Sequence, residues 1–215
     1  MRITSKAPRE WIDGFLFVGN HLALDFLNTR PVLADGPKEL LRDVDALVRW
    51  LVASGVLSRQ DGKTLARKWR DMPQAPLFLR ELLKFRERFR AIVVRQEAGF
   101  SVSTAFIAEL NSLLKQYPSR IALQRKGEKL DLDAAFETDK PNDVWAPIAT
   151  AVAELLSNSP PARLRKCEAC VVHFLDTSKK GSRRWCSMNI CGNKIKVAAY
   201  QKRKRAAGKK MRRGR

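Results

Sequence analysis

The spacing of apolar residues predicts a chain that is mainly helical over residues 1–158. Apolar positions recur there every three or four residues, as they do on the buried face of an amphipathic helix. Asp43, Ser58 and Ser103 stand where helix N-caps belong, and Gly55 and Gly99 stand where helices end. The predicted helices cover residues 21–28, 44–54, 58–71, 77–98, 103–117 and 142–158.

One stretch follows a different period. Residues 120–125 and 129–133 alternate between apolar and polar side chains, and Lys126-Gly127 supplies a turn, so we predict a β-hairpin. The fold class is therefore α+β, with a mainly helical N-terminal domain that holds a small antiparallel sheet. A stretch rich in serine and proline, residues 157–162, marks the predicted boundary. The predicted parts are a front domain (1–158), a finger (163–207) and a basic tail (208–215).

The charge is concentrated behind that boundary. The chain carries a net charge of +20, and residues 163–215 hold 18 Lys/Arg against two acids, which is +16. Such a segment predicts a polyanionic partner, DNA before RNA, although a solubilising tail is the simpler alternative. No apolar run approaches the ~20 residues of a membrane span, and no signal peptide is evident. We therefore expect a cytoplasmic protein with no membrane partner.

All four cysteines lie in one window of this basic segment. Cys167, Cys170, Cys186 and Cys191 have the spacing C-x2-C-x15-C-x4-C, which is typical of a structural zinc site. The alternative is a set of reduced or redox-active thiols. Four protein ligands leave no open position, so we expect one structural Zn²⁺ per chain and no catalysis by the metal. A finger of roughly 40 residues has too small a core to fold alone, and zinc supplies the missing stability.

A treble-clef-type finger is the predicted arrangement of these ligands. The first cysteine pair sits on a turn, residues 171–175 and 183–185 form two strands, and the last cysteine lies in the first turn of a helix that runs to about Ala207. Phe174 and Trp185 are the expected finger core, with stacking of Trp185 on a base as an alternative. His173 is expected on the surface. Ile195, Ala198 and Ala199 are expected to face the finger core.

The helix and the strand before it carry the predicted nucleic-acid contacts. Phosphate contacts set affinity and base contacts set specificity. Arg183 and Arg184 are assigned to phosphates, and a narrow basic helix can enter a major groove. The contact candidates are Arg183, Arg184, Asn193, Lys194, Lys196, Gln201, Lys202, Arg203 and Arg205. Asn193, Lys194, Gln201 and Arg203 are the candidates for base contacts.

Two polar residues interrupt the apolar segment near the start of the chain. Asp25 and Asn28 lie within His21-Leu-Ala-Leu-Asp-Phe-Leu-Asn28. They are either exposed or capping residues, or a site that binds a ligand or makes structural hydrogen bonds. With His21 they form the one polar group to test for enzymatic activity, and no other catalytic arrangement stands out. We expect no enzyme.

These motifs resemble a known family. Four finger segments are similar to the CGNR-type zinc finger: Cys167-x2-Cys170, Phe174-Leu-Asp-Thr-Ser178, Arg183-Arg-Trp-Cys-Ser-Met188 and Cys191-Gly-Asn-Lys194. Residues 19–29, GNHLALDFLNT, resemble the ABATE domain that accompanies this finger. The resemblance implies a bacterial stress-induced transcription regulator whose four cysteines bind zinc.

The resemblance also bears on the partners. Lys194 stands where the family name has arginine, and lysine keeps the charge without the bidentate fork. We expect the front domain to sense a signal or to bind a small molecule, a protein or a second copy of the chain. An RNA- or ribosome-associated protein is the alternative function.

Overall fold

The structure is a computed structural model of the chain. The structure describes residues 10–33, 36–198, 200, 201 and 204. In the front part, the described residues form six helices: α1 (Leu22–Leu27), α2 (Val44–Ser54), α3 (Arg59–Arg70), α4 (Ala75–Glu97), α5 (Thr104–Gln116) and α6 (Trp145–Asn158). A 3₁₀ turn, Pro141–Val144, precedes α6. All six predicted helices are confirmed within a few residues at their ends.

The capping residues explain why these helices begin where they do. The Asp43 carboxylate accepts a hydrogen bond from the Ala46 N–H at 2.7 Å, and the Ser58 hydroxyl accepts one from the Asp61 N–H at 3.1 Å. Each bond satisfies an N–H that a first helical turn leaves without a partner. Gly55 ends α2 with a φ of 83°, a conformation that glycine adopts at little cost.

The described strands form four antiparallel pairs. They are β1 (Trp11–Ile12) with β2 (Phe15–Leu16), β3 (Val32–Leu33) with β4 (Gly36–Pro37), β5 (Arg120–Lys126) with β6 (Lys129–Ala135), and β7 (Leu164–Lys166) with β8 (His173–Leu175). The β5–β6 pair is the predicted hairpin, in which Lys126 pairs with Lys129. A mainly helical front part with small antiparallel sheets confirms the α+β class.

The main core lies where α1, α4 and α6 meet. Every residue of α1 is buried, and this short helix contacts both α4 and α6. From α4, Phe85 sets its ring against Trp145 of α6 in an edge-to-face contact with 5.2 Å between centroids. Within the described residues no helix is both long and apolar enough to cross a membrane.

The sheet of the finger differs from the prediction. The strand His173–Leu175 pairs with Leu164–Lys166, and residues 183–185 form no strand. The hairpin therefore closes around the first cysteine pair instead of following it. The sequence did not reveal this pairing because each of the two strands is only three residues long, too short to show an alternation of apolar and polar residues. A 3₁₀ turn, Pro161–Arg163, leads into β7, and β7 packs on α4.

Candidate metal centre and its docking on the front domain

The four cysteine sulfurs come together at one point. Their Sγ atoms all lie within 4.8 Å of one another, and Cys186 Sγ is 3.6 Å from that of Cys170 and 3.8 Å from that of Cys191. A tetrahedral zinc ion with Zn–S bonds of about 2.3 Å places its sulfurs about 3.8 Å apart. All four cysteines are free of disulfides. The donor set and its spacing therefore fit one structural zinc ion.

The first cysteine pair sits in the turn between β7 and β8. The Cys167 N–H donates to the Val172 carbonyl at 2.8 Å, and the Val171 N–H donates back to the Cys167 carbonyl at 3.1 Å. The turn requires a left-handed backbone at Val171, with a φ of 56°. That conformation is strained for a β-branched residue.

The second pair is held by a turn of π-helix, Met188–Gly192. The Ser187 hydroxyl caps this turn by accepting from the Asn189 N–H at 3.1 Å. The Cys191 N–H in turn donates to the Ser187 carbonyl at 3.1 Å. Residues 193–198 continue as α-helix. Cys191 thus lies at the start of the terminal helical segment, as the sequence predicts.

The four crowded thiols perturb one another. A hydrogen bond with Cys170 lowers the pKa of Cys167, whereas a hydrogen bond with Cys167 raises the pKa of Cys186 and burial raises that of Cys191 to about 12. The four thiols therefore do not ionise together by themselves. A divalent cation would replace the protons and make all four available as thiolate ligands.

Asp176 organises the loop between the two cysteine pairs. Its buried carboxylate accepts from the Ser178 N–H at 2.9 Å and from the Arg183 N–H at 2.8 Å. Arg183 turns its side chain inward, because its guanidinium donates to the Cys186 carbonyl and lies 4.9 Å from the centre of the Phe174 ring. The structure therefore builds Arg183 into the finger. Its assignment to a phosphate stays a prediction.

The finger is docked on the segment 19–29 of the front domain. The Asn28 side-chain amide donates to the His173 carbonyl at 2.8 Å and accepts from the His173 N–H at 3.1 Å. The amide thereby pairs with β8 as a neighbouring strand would. The Asn20 amide donates to the Leu175 carbonyl at 2.9 Å, and the Leu175 N–H donates to the Gly19 carbonyl at 2.8 Å. Asn28 therefore acts as a structural hydrogen-bond residue.

The finger core is completed by the front domain. Leu16 and Val18 are buried in the same apolar cluster as Val172, Phe174 and the cysteines Cys167, Cys186 and Cys191. Trp185 packs against this cluster and is half-buried, in line with its expected place in the core. The expected packing of the terminal helix is wrong. Ile195 is 38% exposed and Ala198 is also exposed, whereas Leu16 and Val18 of the front domain are part of the finger core.

Two other expectations for single residues are settled by burial. His173 is only 3% exposed, so its predicted surface position is wrong, and its Nε2 atom lies 3.4 Å from a carboxylate oxygen of Glu97 on α4. His21 caps α1, since its Nδ1 atom accepts from the Ala23 N–H at 3.3 Å. Burial lowers the pKa of His21 to about 4, which keeps it neutral.

Asp25 is buried behind the docking segment. Its carboxylate accepts from the Gly19 N–H at 2.7 Å, and burial raises its pKa to about 7. A Cβ atom on Gly19 would lie 2.8 Å from the Asp25 backbone nitrogen, so this approach requires glycine. Asp25 therefore supports the backbone turn whose carbonyl holds Leu175.

Apart from Arg183, the predicted contact residues fall into three groups. Arg184 is exposed but forms an ion pair with Glu168, with atoms 2.8 and 2.9 Å apart, and its guanidinium lies over the Trp185 ring at 5.3 Å. Asn193, Lys194, Lys196 and Gln201 are exposed on the terminal helical segment. Lys202, Arg203, Arg205, residue Ala199 of the predicted core face and the tail 208–215 lie outside the described residues.

Some exposed cations were missing from the predicted set. Lys166, Lys179 and Lys180 are exposed, and none has a carboxylate partner among the residues that the structure describes. Lys179-Lys180 follows the Asp176 loop, where the Ser178 hydroxyl accepts from the Gly181 N–H at 3.2 Å. Lys179-Lys180 could have been found from the sequence, where it stands as a pair of lysines within the basic segment.

The four sulfurs and the fold around them define a zinc-binding protein with a helical front domain. Residues 20–159 match the ABATE family, described as "Putative stress-induced transcription regulator", and residues 163–204 match the CGNR zinc finger. The first match covers more than half of the chain. The chain therefore belongs to the ABATE family and carries a C-terminal CGNR zinc finger, as the motifs predicted. A search among curated proteins gives no match.

Proposed function

We propose that this protein is a DNA-binding transcription regulator in which the zinc finger holds a cationic surface against nucleic acid. The observation that carries the proposal is the terminal helical segment. All six residues 193–198 are exposed, Lys194 and Lys196 among them, and the segment starts directly at the metal site. A basic helix free of core packing is suited to approach a DNA groove. The family description supports a regulatory role.

Phosphate attraction is the best-supported part of this function. Six finger lysines are exposed and have no carboxylate partner among the described residues: Lys166, Lys179, Lys180, Lys194, Lys196 and Lys204. Sequence readout rests on fewer groups, Asn193 and Gln201 on the described segment and Arg203 beyond it. Lysine at position 194 supplies charge but no bidentate base contact. Affinity should therefore exceed specificity.

The remaining parts of the proposal follow from this assignment. The front domain senses the signal, and the regulator acts in the cytoplasm without enzymatic activity of its own. Homodimerisation and an RNA partner are the competing arrangements. Each would change the nucleic acid that is bound or the number of chains on it, but not the role of the zinc site.

The test is the salt dependence of binding by the zinc-loaded full chain. With about six phosphate contacts, log K for a duplex should fall against log salt with a slope near −5. The Lys194→Ala/Lys196→Ala variant should reduce the steepness by about 2, since each lost phosphate contact removes nearly one unit. The control is Lys63→Ala/Lys115→Ala, two exposed lysines of the front domain. The proposal would be refuted if the binding constant did not depend on salt concentration, or if both variants gave the same slope of log K against log salt.

A further inference from the structure

The front domain contains a cavity that the zinc finger does not use. Its volume is about 650 Å³, and it is lined by residues of α2 and α4, by the segment before α2, by Arg30 and by Arg70 at the end of α3. Small-molecule sites in proteins usually measure about 300–1,000 Å³. The cavity is therefore large enough for a metabolite-sized ligand.

The wall of the cavity is apolar. Val44 and Leu79 are buried, Leu83 is half-buried, and Pro76 lies beside them. Such a wall can cover a hydrocarbon or ring portion of a ligand and release water from both surfaces. An apolar wall alone does not select a ligand, so the charged residues around it decide the chemistry.

All four acidic residues of the lining are engaged by partners. Glu39 accepts from the Arg86 guanidinium at 2.9 Å, and Glu87 accepts from the same group at 3.0 Å. Asp45 accepts from Arg70 at 2.7 Å. Asp43 caps α2. Three of the four carboxylates are thus paired with arginines, and Asp43 is held by a backbone N–H. The lining as a whole holds six basic and four acidic side chains, a net charge of +2.

Two arginines of the lining remain open to a ligand. Arg42 and Arg80 are exposed, and neither donates a hydrogen bond to a carboxylate or forms an ion pair with one among the described residues, although Arg80 lies in the field of Glu81. A planar guanidinium donates two parallel hydrogen bonds to a carboxylate or phosphate. The unmatched charge of the cavity is therefore positive, and the matching ligand group is an anion.

The base of the site is rigid and leads to the finger. Arg86 is only 1% exposed, and its guanidinium also donates to the Thr29 hydroxyl at 2.8 Å. A fixed base reduces the entropy that binding must overcome. Thr29 follows Asn28, the residue that binds the His173 backbone. A ligand in the cavity would therefore lie near Arg86, which is bonded to the residue that follows Asn28 in the chain.

We propose that this cavity binds a small organic anion, with its apolar body against Val44 and Leu79 and its carboxylate or phosphate on Arg42 and Arg80. The proposal does not depend on the nucleic-acid function, because the binding is measured in the absence of DNA or RNA.

The test uses the zinc-loaded full chain and the fluorescent anion 8-anilinonaphthalene-1-sulfonate as probe. Octanoate and octyl phosphate should displace the probe, and octan-1-ol, which has the same chain and no charge, should do so at least tenfold less effectively. The order of octanoate and octyl phosphate tells which head group the site takes.

The matched variants separate this site from general charge effects. Arg42→Glu/Arg80→Glu should weaken probe binding at least about tenfold, which is about 1.4 kcal/mol. Arg59→Glu/Arg67→Glu makes the same charge change at exposed residues of α3 outside the cavity and should bind as wild type does. Circular dichroism and zinc content should match in all three proteins. Equal binding by both double variants, or equal displacement by octanoate and octan-1-ol, would overturn the proposal.

Discussion

Replacing Asn28 by alanine should detach the zinc finger from the front domain without touching a metal ligand. The wild-type amide makes two hydrogen bonds to the His173 backbone, at 2.8 and 3.1 Å, and both residues are buried. Alanine leaves one buried N–H and one buried carbonyl without a partner. Each such group costs about 1–3 kcal/mol, so the free energy of unfolding should fall by about 2–6 kcal/mol.

Urea unfolding of the zinc-loaded chain, followed by tryptophan fluorescence, measures this loss. Transfer of zinc to a coloured chelator should also become faster, since the finger opens more often when it is undocked. Asn28→Asp keeps an acceptor for the His173 N–H but loses the donor and buries a charge, so it should destabilise at least as much.

Asn142→Ala is the matched control. Its half-buried amide makes one long contact, 3.5 Å to the Tyr117 hydroxyl, and its removal should cost less than about 1 kcal/mol. The docking role of Asn28 would be refuted if Asn28→Ala lost no more stability than Asn142→Ala and released zinc at the wild-type rate.

Three further changes test the metal site and the buried acid. Cys186→Ser should reduce bound zinc from one ion per chain to almost none by elemental analysis, while the front-domain helices persist in circular dichroism; full zinc content would contradict the ligand set. Burial raises the pKa of Asp25 from 3.8 to about 7, so the folded chain holds this proton more tightly than the unfolded chain does. The free energy of unfolding should therefore fall by ~4 kcal/mol in all as the pH rises from 3.8 to about 7. The Asp25→Asn variant should lose this part of the pH dependence. The lowered pKa of His21 makes stability rise with pH, so only the difference between wild type and variant measures the contribution of Asp25. Identical pH profiles of stability in the two proteins would disprove the raised pKa of Asp25. Val171→Gly should slow zinc loss by relieving the left-handed backbone, worth ~1 kcal/mol, and a faster loss would contradict the strain.

The local signals in the sequence were sufficient for the helices and the ligands. Asp43, Ser58 and Gly55 mark helix ends through bonds made within a few residues, so their positions can be derived from the chain itself. The same holds for the β5–β6 hairpin, whose turn is two residues long. The cysteine spacing likewise encodes the zinc site, because two pairs of thiols suffice to specify a tetrahedral centre.

The docking of the finger was beyond local inference. Asn28 and His173 are 145 positions apart, and nothing near either residue indicates the other. For the same reason the front-domain residues Leu16 and Val18 could not be assigned to the finger core. Sequence reasoning therefore found the polar residue at position 28 but left open whether it binds a ligand or makes a structural contact. In the structure its amide is bonded to the His173 backbone.

Competition between nucleic acids tests the central claim most directly. The zinc-loaded chain is bound to a labelled duplex DNA and challenged with unlabelled duplex DNA or structured RNA of equal length, alongside the Lys194→Ala/Lys196→Ala variant. The proposed function predicts that DNA displaces the label at lower concentration than RNA and that the variant binds the duplex more weakly than wild type. RNA that competes equally or better, or a variant that binds DNA as wild type does, would contradict a DNA-binding regulator acting through this helix.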